Sequence, residues 1–564
     1  MNLHKHDSSF LPIVNWLRAY HRSWLRIDVI AGLTASAVII PKAMASAVIA
    51  GLPIQAGLYT ALAALFVYPL FGSSRLLSVT TTSTIGLMTA AQIAELQQRS
   101  IAADPMTVAM TLTFLVGVFL LIARILGLGV VANFISKPVL VGFEAGIGVV
   151  IAVSQLKAIF GVHLTHKTTI GILLELPGAL RQTHWLTLCI ALSGIAILVW
   201  FPRWLPRVPA QLVLVGVSGL AVWLFDLGSF GVKLEDAVPT GLPSLTWPAV
   251  ALINHLWPGA LGIALMSFTE SVASARTFLR REDPAISPNQ ELVAIGAANI
   301  AAAFFGGLPA GGGASQTAVN ARSGALSQVA GFVGGLMVIF CLLFLSSAIS
   351  LLPQATLGSL VIVVAVSMIK PEKFHKISRI RKGEFGWAII TMIGVITIGT
   401  LQGILIAVII SMLNLLYRSN HPPVYAIAHN PDKQIFRPLG ENESDVTYPG
   451  LLIVRIVGWL TFANASYIAD HLRALIEQAQ PSVIILECSA ISDIEYTALV
   501  MLEEAVENMR ERGIAVWFAG INPDLHTLIE RSSLKTTLGS ERIFFDLPKA
   551  VETYLARSTG NSEQ

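Results

Sequence analysis

The sequence predicts an α-helical polytopic membrane protein of about fourteen segments, some too short to span alone, with a small α/β domain behind it. Three observations carry that prediction. The 564 residues are 54% hydrophobic and only 13% charged, and a mean hydropathy of +0.70 is too apolar for a soluble chain with one greasy helix. Apolar runs of about 18 residues or more recur between residues 29 and 417, each long enough to cross a hydrocarbon core of roughly 30 Å. Past Arg418 the chain breaks at His421-Pro422-Pro423, and beyond a polar stretch its pattern becomes that of a soluble domain.

Residues 1 to 27 are polar and basic. The run after them exceeds a signal-peptide core and lacks an A-x-A cleavage context, so they read as a retained cytoplasmic segment. Trp16, Leu17, Trp24 and Leu25 fit an amphipathic lead-in, and a plain solvated tail fits them equally. Lys and Arg gather on the cytoplasmic side of membrane proteins, which sets the orientation of the spans. With the N-terminus inside, inner loops collect Arg75, Arg124, Lys137, Arg203, Arg207, Arg276, Arg280, Arg281 and Arg322. The richest inner loop carries Lys370, Lys373, Lys376, Arg379, Arg381 and Lys382, while outer loops hold few, among them Arg99, Lys157, Lys167, Arg181 and Lys233. An even number of crossings then returns the C-terminal domain to the cytoplasm. The small net charge of +3 gives no reason to expect nucleic acid as a partner.

Two stretches interrupt this apolar pattern in opposite halves. One is Ser78-Val79-Thr80-Thr81-Thr82-Ser83; the other runs from Pro309 through Gly311-Gly312-Gly313 to Ala314-Ser315-Gln316-Thr317. Such backbone cannot face lipid, which offers its N–H and C=O groups no partners. Interrupted segments at matching positions of two halves point to a transporter's binding site.

After the break the pattern alternates. Residues 451 to 457 read as a strand, 465 to 479 as an amphipathic helix, 483 to 486 as a buried strand, 496 to 512 as a helix ended by Gly513, and 514 to 519 as a third core strand. No phosphate-binding glycine loop opens any of these helices, so no kinase or ATPase activity, and no enzyme activity of any kind, is expected. Cys189, Cys341 and Cys488 stand apart, with no metal-ligand or disulfide spacing. Neither cofactor nor metal is expected.

Ordered motifs then become recognisable: Asp28, Ala31-Gly32-Leu33-Thr34, Pro41, Met44-Ala45, Gly51-Leu52-Pro53, Gly57-Leu58-Tyr59 and Gly72-Ser73-Ser74-Arg75. Later come Ile135-Ser136, Pro138-Val139, Gly142-Phe143, Gln155-Leu156-Lys157, Glu270-Ser271, Asn289-Gln290-Glu291-Leu292, Gly296 and Asn299. Phe462-Ala463-Asn464-Ala465 and residues 488 to 499 complete the set. Through these the chain resembles the SulP family of anion transporters, which carry a C-terminal STAS domain, over about residues 25 to 555. The resemblance implies a seven-plus-seven inverted repeat, divided into core and gate domains that slide against each other, and a homodimer. It also implies that the third and tenth segments are half-helices whose N-termini face a shared anion site. The chain divides accordingly into an N-terminal segment 1 to 27, a transport domain 28 to 419, a linker 420 to 447, a STAS domain 448 to 556 and a disordered tail 557 to 564.

By this match the half-helices start near Thr80, Thr81 and Thr82, and near Ala314, Ser315 and Gln316. Helix N-termini carry roughly half a positive charge and unpaired N–H donors, so two aimed at one cavity favour an anion. The hydroxyls can contact the anion or simply cap their helices. The family pattern is broken at informative places. Thr80 and Thr81 replace its Gly-Pro, Gln316 replaces an arginine after Ser315, and Lys42 replaces a glutamine after Pro41. Lys42 is therefore expected to take over the missing cation's electrostatic role, with Ser46 one turn away; the alternative is a structural ion pair with a carboxylate. Glu270 lies at the family's coupling-ion position with Ser274 four residues on. A carboxylate there suits a proton, and the added hydroxyl keeps sodium open. Glu144 receives no role. In the STAS segment Thr497 occupies the family's regulatory hydroxyl position, open to phosphorylation or to a plain helix-start role.

The expected function is secondary active transport of a small inorganic or organic anion of the sulfate, bicarbonate or dicarboxylate class, by elevator-like proton-coupled symport. Alternatives are a sodium-coupled anion symporter, an exchanger or a channel. A nucleobase transporter fits less well, since such proteins lack a STAS tail, and a ligand sensor remains a further reading. The expected location is a bacterial inner membrane, spanned many times, with both termini cytoplasmic and a second copy and lipid as partners.

Overall fold

A computed structural model describes residues 12 to 560, apart from 19, 100, 102, 134, 135, 163, 165, 167, 206, 207, 236 to 240, 432, 434 and 441 to 444. The motif residue Ile135, the loop residues Lys167 and Arg207, residues 1 to 11 and the end of the tail lie outside the described residues.

The first half of the membrane unit runs α1 (Trp24–Ile49), α2 (Ile54–Phe71), β1 (Val79–Thr80), α3 (Ser83–Gln98), α4 (Pro105–Ile125), α5 (Lys137–Ser154), α6 (Trp185–Trp204) and α7 (Ala210–Phe225). The second half runs α8 (Ile253–Thr277), α9 (Pro288–Phe304), β2 (Gly311–Gly312), α10 (Ala314–Arg322), α11 (Val329–Phe344), α12 (Gln354–Met368), α13 (Lys382–Thr397) and α14 (Thr400–Asn420). The order helix, helix, two-residue strand, helix, helix thus occurs twice. Among the described residues seven spans are long and apolar enough to cross a membrane, and α7 and α11 are shorter apolar helices. Length and apolarity alone therefore account for about half of the expected segments. Outward faces of these helices remain apolar, with Trp204 82% and Phe225 66% exposed, as a lipid-facing surface requires.

Packing sorts the helices into two groups. In one, α4 lies on α9, α1 on α11, α2 on α9, and α8 on α4; in the other, α5 lies on α13 and α12, and α12 on α6. Small residues allow these approaches. A Cβ at Gly57 would collide with the Ala43 carbonyl, one at Gly142 with the Ala388 carbonyl, and one at Gly86 would sit 2.6 Å from the Ser46 carbonyl oxygen. At the chain start the Trp16 indole donates to the Pro69 carbonyl at 3.3 Å, which gives the amphipathic lead-in a contact.

Residues 412–564 form a separate compact unit, and the division from 1–411 falls inside α14. Its strands are β3 (Val424–Asn430), β4 (Ile435–Pro438), β5 (Leu451–Ile456), β6 (Gly458–Leu460), β7 (Val483–Glu487), β8 (Ile491–Ile494), β9 (Ala515–Ala519) and β10 (Ile543–Phe544). Its helices include α15 (Ala465–Ala479), α16 (Tyr496–Glu511), α17 (Pro523–Glu530) and α18 (Leu547–Gly560). The main sheet has the order β10-β9-β7-β5-β3-β4, parallel from β10 to β5, with β3 antiparallel to β5 and to β4. Alternate side chains go to opposite faces. Ile484, Leu486, Val516 and Phe518 pack with residues of α15 and α16, while Ile485 and Trp517 pack with Leu547, Ala550 and Val551 of α18. The strands and helices expected from 451 to 519 are present within a residue or so at each end.

Two boundaries differ from expectation. The stretch 420 to 447, expected as a linker, contains the β3–β4 hairpin, because β3 gains its ladder from β5, far along the chain. The expected tail begins inside α18, which runs to Gly560 because its apolar side is seated on the sheet.

Candidate functional site

β1 and β2 pair antiparallel, Val79 with Gly312 and Thr80 with Gly311, so the strands that lead into α3 and α10 cross in the interior of the membrane unit. Side chains satisfy the backbone there, as the absence of water demands. Ser267 of α8 donates to the Ala310 carbonyl at 2.6 Å, and the Ser271 hydroxyl accepts from Gly312 N–H at 2.6 Å. Asn299 of α9 brackets Ala310, accepting from its N–H at 2.9 Å and donating to its carbonyl at 3.1 Å. Glycine is needed at 312 because a Cβ would stand 2.8 Å from Ser271 Cα. Ser78 N–H donates to the Thr317 hydroxyl at 3.2 Å, and Asn320 donates to the Leu76 carbonyl at 3.2 Å, tying the two crossing leads together.

The expected site residues collect around this crossing. Lys42 Nζ donates to Ser315 Oγ at 2.7 Å and to Gln316 Oε1 at 3.0 Å. Gln316 Nε2 in turn donates to Thr80 Oγ1 at 2.8 Å. Lys42 thus reaches from α1 across to the start of α10, and Gln316 carries the connection on to β1. Among the described residues Lys42 forms no ion pair; its direct partners are neutral oxygens. Thr82 caps α3, accepting from Ile85 N–H at 3.4 Å, and its hydroxyl also donates to Glu270 Oε2 at 3.1 Å. Glu270 is half-buried and close enough to Lys42 for their charges to interact.

At α10 no described side chain caps the helix, and its N-cap is Gly313. Ala314 and Ser315 are exposed while Gln316 is fully buried. A helix start with free N–H groups, one ammonium and a hydroxyl therefore faces open space inside a membrane unit. That arrangement can hold a negatively charged solute.

Other expected residues have different surroundings. The buried hydroxyls of Ser46 and Thr81 have no partner among the described residues. Ser274 donates to the Gly312 carbonyl at 3.2 Å, so its oxygen supports β2. Thr497 lies in the separate C-terminal unit, exposed in the first turn of α16 behind the N-cap residue Glu495. Glu144 sits 3.7 Å from Lys370, two residues past the end of α12. The sequence reading missed the bracing roles of Ser267, Ser271 and Asn299. Ser267 and Ser271 at i and i+4 on one face of α8 carried the available signal. Among the described residues no cluster of His, Cys, Asp and Glu could hold a metal ion.

The sulfate permease family profile matches residues 25–391, and the STAS domain profile matches residues 444–550. A probable sulfate transporter of Mycobacterium tuberculosis is 33% identical over 555 residues, which cover 98% of this chain and 99% of that protein. The chloroplastic sulfate transporter 4.1 of Arabidopsis thaliana is 27% identical over 569 residues, covering 97% and 83%. Among solved structures, the murine solute carrier 26 family member A9 anion transporter in its inward-facing state matches with a TM-score of 0.87. That match covers 98% of this chain and 96% of that one at 21% identity, a likeness of fold. The transmembrane domain of a cyanobacterial bicarbonate transporter, BicA, matches 70% of this chain and 98% of its own length, with a TM-score of 0.58 at 23% identity.

Proposed function

The chain belongs to the sulfate permease family and ends in a STAS domain, and on that premise we propose that it moves a sulfate-, bicarbonate- or dicarboxylate-class anion by proton-coupled symport. It is a multi-pass membrane transport protein and not an enzyme. The observation that carries the reading is the Lys42 ammonium seated on Ser315 and Gln316 at the uncapped start of α10. An arriving oxyanion replaces these neutral acceptors with an anionic one and meets the free N–H groups of the helix start. Lys42 thereby supplies from α1 the cation that Gln316 lacks, and Ala314, Thr80, Thr81 and Ser46 shape the surrounding wall.

Glu270 is the proton carrier in this scheme. Its carboxylate holds the Thr82 hydroxyl at the start of α3, so protonation changes both the charge near Lys42 and the cap of a site helix. The group α1–α4 with α8–α11 acts as the core, sliding against α5–α7 with α12–α14 as the gate. The repeated element order and the antiparallel β1–β2 pair support a seven-plus-seven inverted repeat. A homodimer in a bacterial inner membrane, with both termini cytoplasmic, completes the scheme. Thr497, exposed at the start of α16, is the regulatory hydroxyl, where a phosphate would meet a helix N-terminus.

Uptake into proteoliposomes tests the reading. Sulfate, bicarbonate and fumarate are compared under imposed proton and sodium gradients. Accumulation of one of them driven by an inward proton gradient is expected. Sodium-driven uptake indifferent to that gradient would contradict the coupling, and uptake of none would contradict the site.

A further inference from the structure

The chain from Lys370 to Lys382, the first residue of α13, carries Lys370, Lys373, Lys376, Arg379, Arg381 and Lys382 against one acid, Glu372, with Arg381 also 3.9 Å from Glu384 of α13, and the transport reading uses none of these cations. Residues Pro371–Ile380 form a helix with no buried residue. Phe374, Ile377 and Ser378 are half-buried on one side, while Lys373, Lys376 and Arg379 are exposed. Phe374 packs edge-on against Phe385 of α13, with ring centroids 6.4 Å apart, and so fixes the helix against the membrane unit. Ile380 is 69% exposed beside these basic side chains.

More positive charge meets the start of this helix. Lys370 lies 3.7 Å from Glu144 of α5, and Lys373 interacts electrostatically with Glu144, Lys370 and Lys137, the first residue of α5. One carboxylate, Glu144, thus answers two ammonium groups, with that of Lys137 near Lys373 as a third, leaving a surplus of cation. The helix follows directly on the apolar helix Gln354–Met368, and its charged side chains suit the headgroup layer rather than hydrocarbon. An amphipathic helix there, apolar toward the unit and basic outward, has the form of an interfacial segment.

We infer that Pro371–Ile380, together with Lys137 and Lys370, is a binding site for anionic phospholipid headgroups of the surrounding bilayer. Charge complementarity names the occupant: each Lys or Arg near an anionic leaflet contributes about fivefold in partition, about 1 kcal/mol. α5, α12 and α13 are already locked to one another, since a Cβ at Gly148 would stand 2.6 Å from the Ala365 carbonyl oxygen and one at Gly142 would strike Ala388. Lipid bound here therefore anchors that whole helix group to the membrane surface. The inference is independent of which anion is carried.

The full chain in nanodiscs with equal phosphatidylglycerol and phosphatidylcholine is released for native mass spectrometry. Phosphatidylglycerol is expected to be retained over phosphatidylcholine by about fivefold or more. The triple substitution Lys373→Gln, Lys376→Gln, Arg379→Gln brings the ratio to near one, whereas Lys373→Arg with Lys376→Arg keeps it. Hydrogen exchange on the unmodified chain supplies a second readout, with residues 371 to 380 expected to exchange more slowly in phosphatidylglycerol than in phosphatidylcholine nanodiscs. Equal retention of both lipids, unchanged enrichment in a folded triple variant, or equal exchange in both lipids would overturn the proposal. So would matching protection from inorganic phosphate added to phosphatidylcholine nanodiscs.

Discussion

Lys42 stands in the second half of a 26-residue apolar helix, 9% exposed, and its neighbours explain how it is tolerated. Its three N–H donors meet two oxygens at the start of α10, and a carboxylate lies within electrostatic reach. Such a residue is legible in sequence because a lysine inside a span demands a reason. Its partners were legible only through the family resemblance, since they lie 273 and 274 residues away. Glu270 was legible in the same way, but the hydroxyl that Thr82 gives it was not. Ser274 shows the limit of spacing arguments: four residues after Glu270 it shares a helix face, yet it bonds the Gly312 carbonyl. Replacing Glu270 with Gln keeps an acceptor for Thr82 and removes the titration. Each coupled proton lets one unit of pH gradient sustain about tenfold more accumulation. The Glu270→Gln protein in proteoliposomes is expected to lose that gain while still equilibrating anion across the membrane, and a pH-driven gain equal to wild type would refute the assignment.

At the scale of elements, the two interrupted stretches were legible because Gly, Thr and Ser cannot present bare backbone to lipid. Their pairing as β1 and β2 was not, since two-residue strands leave no periodicity to read. Close packing likewise shows itself only in the folded protein. Gly57 lets α2 approach the Ala43 carbonyl one residue from Lys42, whereas a Cβ at Gly216 of α7 would meet open space. Gly57→Ala is therefore expected to destabilise the membrane unit by about 1–3 kcal/mol through overpacking. Gly216→Ala should be neutral or stabilising by about 0.4–1 kcal/mol. Thermal melts in detergent measure both, and equal melting temperatures for the two variants would show that the α1–α2 contact is not as tight as described.

Across the whole molecule, the change of regime near Arg418 was readable from composition, and the core strands of the STAS domain from short β-branched runs. The hairpin in the expected linker was hidden. Val424 to Asn430 follows two prolines, breaks its apolar residues with Ala426 and Ala428 and ends in His429 and Asn430, and its ladder comes from β5, which it meets only in the folded sheet. The C-terminal domain thus begins earlier in the structure than composition indicates. A fragment of residues 421–564 should melt cooperatively, whereas 448–564 should melt at lower temperature or aggregate, because β5 becomes a bare edge. Equal melting of the two fragments would make the hairpin dispensable. The proposed function of the membrane unit rests on one charge set against one helix start. The most direct measurement is the concentration dependence of anion uptake by wild type, Lys42→Gln, and Lys42→Gln combined with Gln316→Arg. Loss of a charge-assisted contact of about 1.5–3 kcal/mol raises KM about 10- to 100-fold in the single variant, and the arginine restores at least about tenfold of it. An unchanged KM in Lys42→Gln would contradict the account.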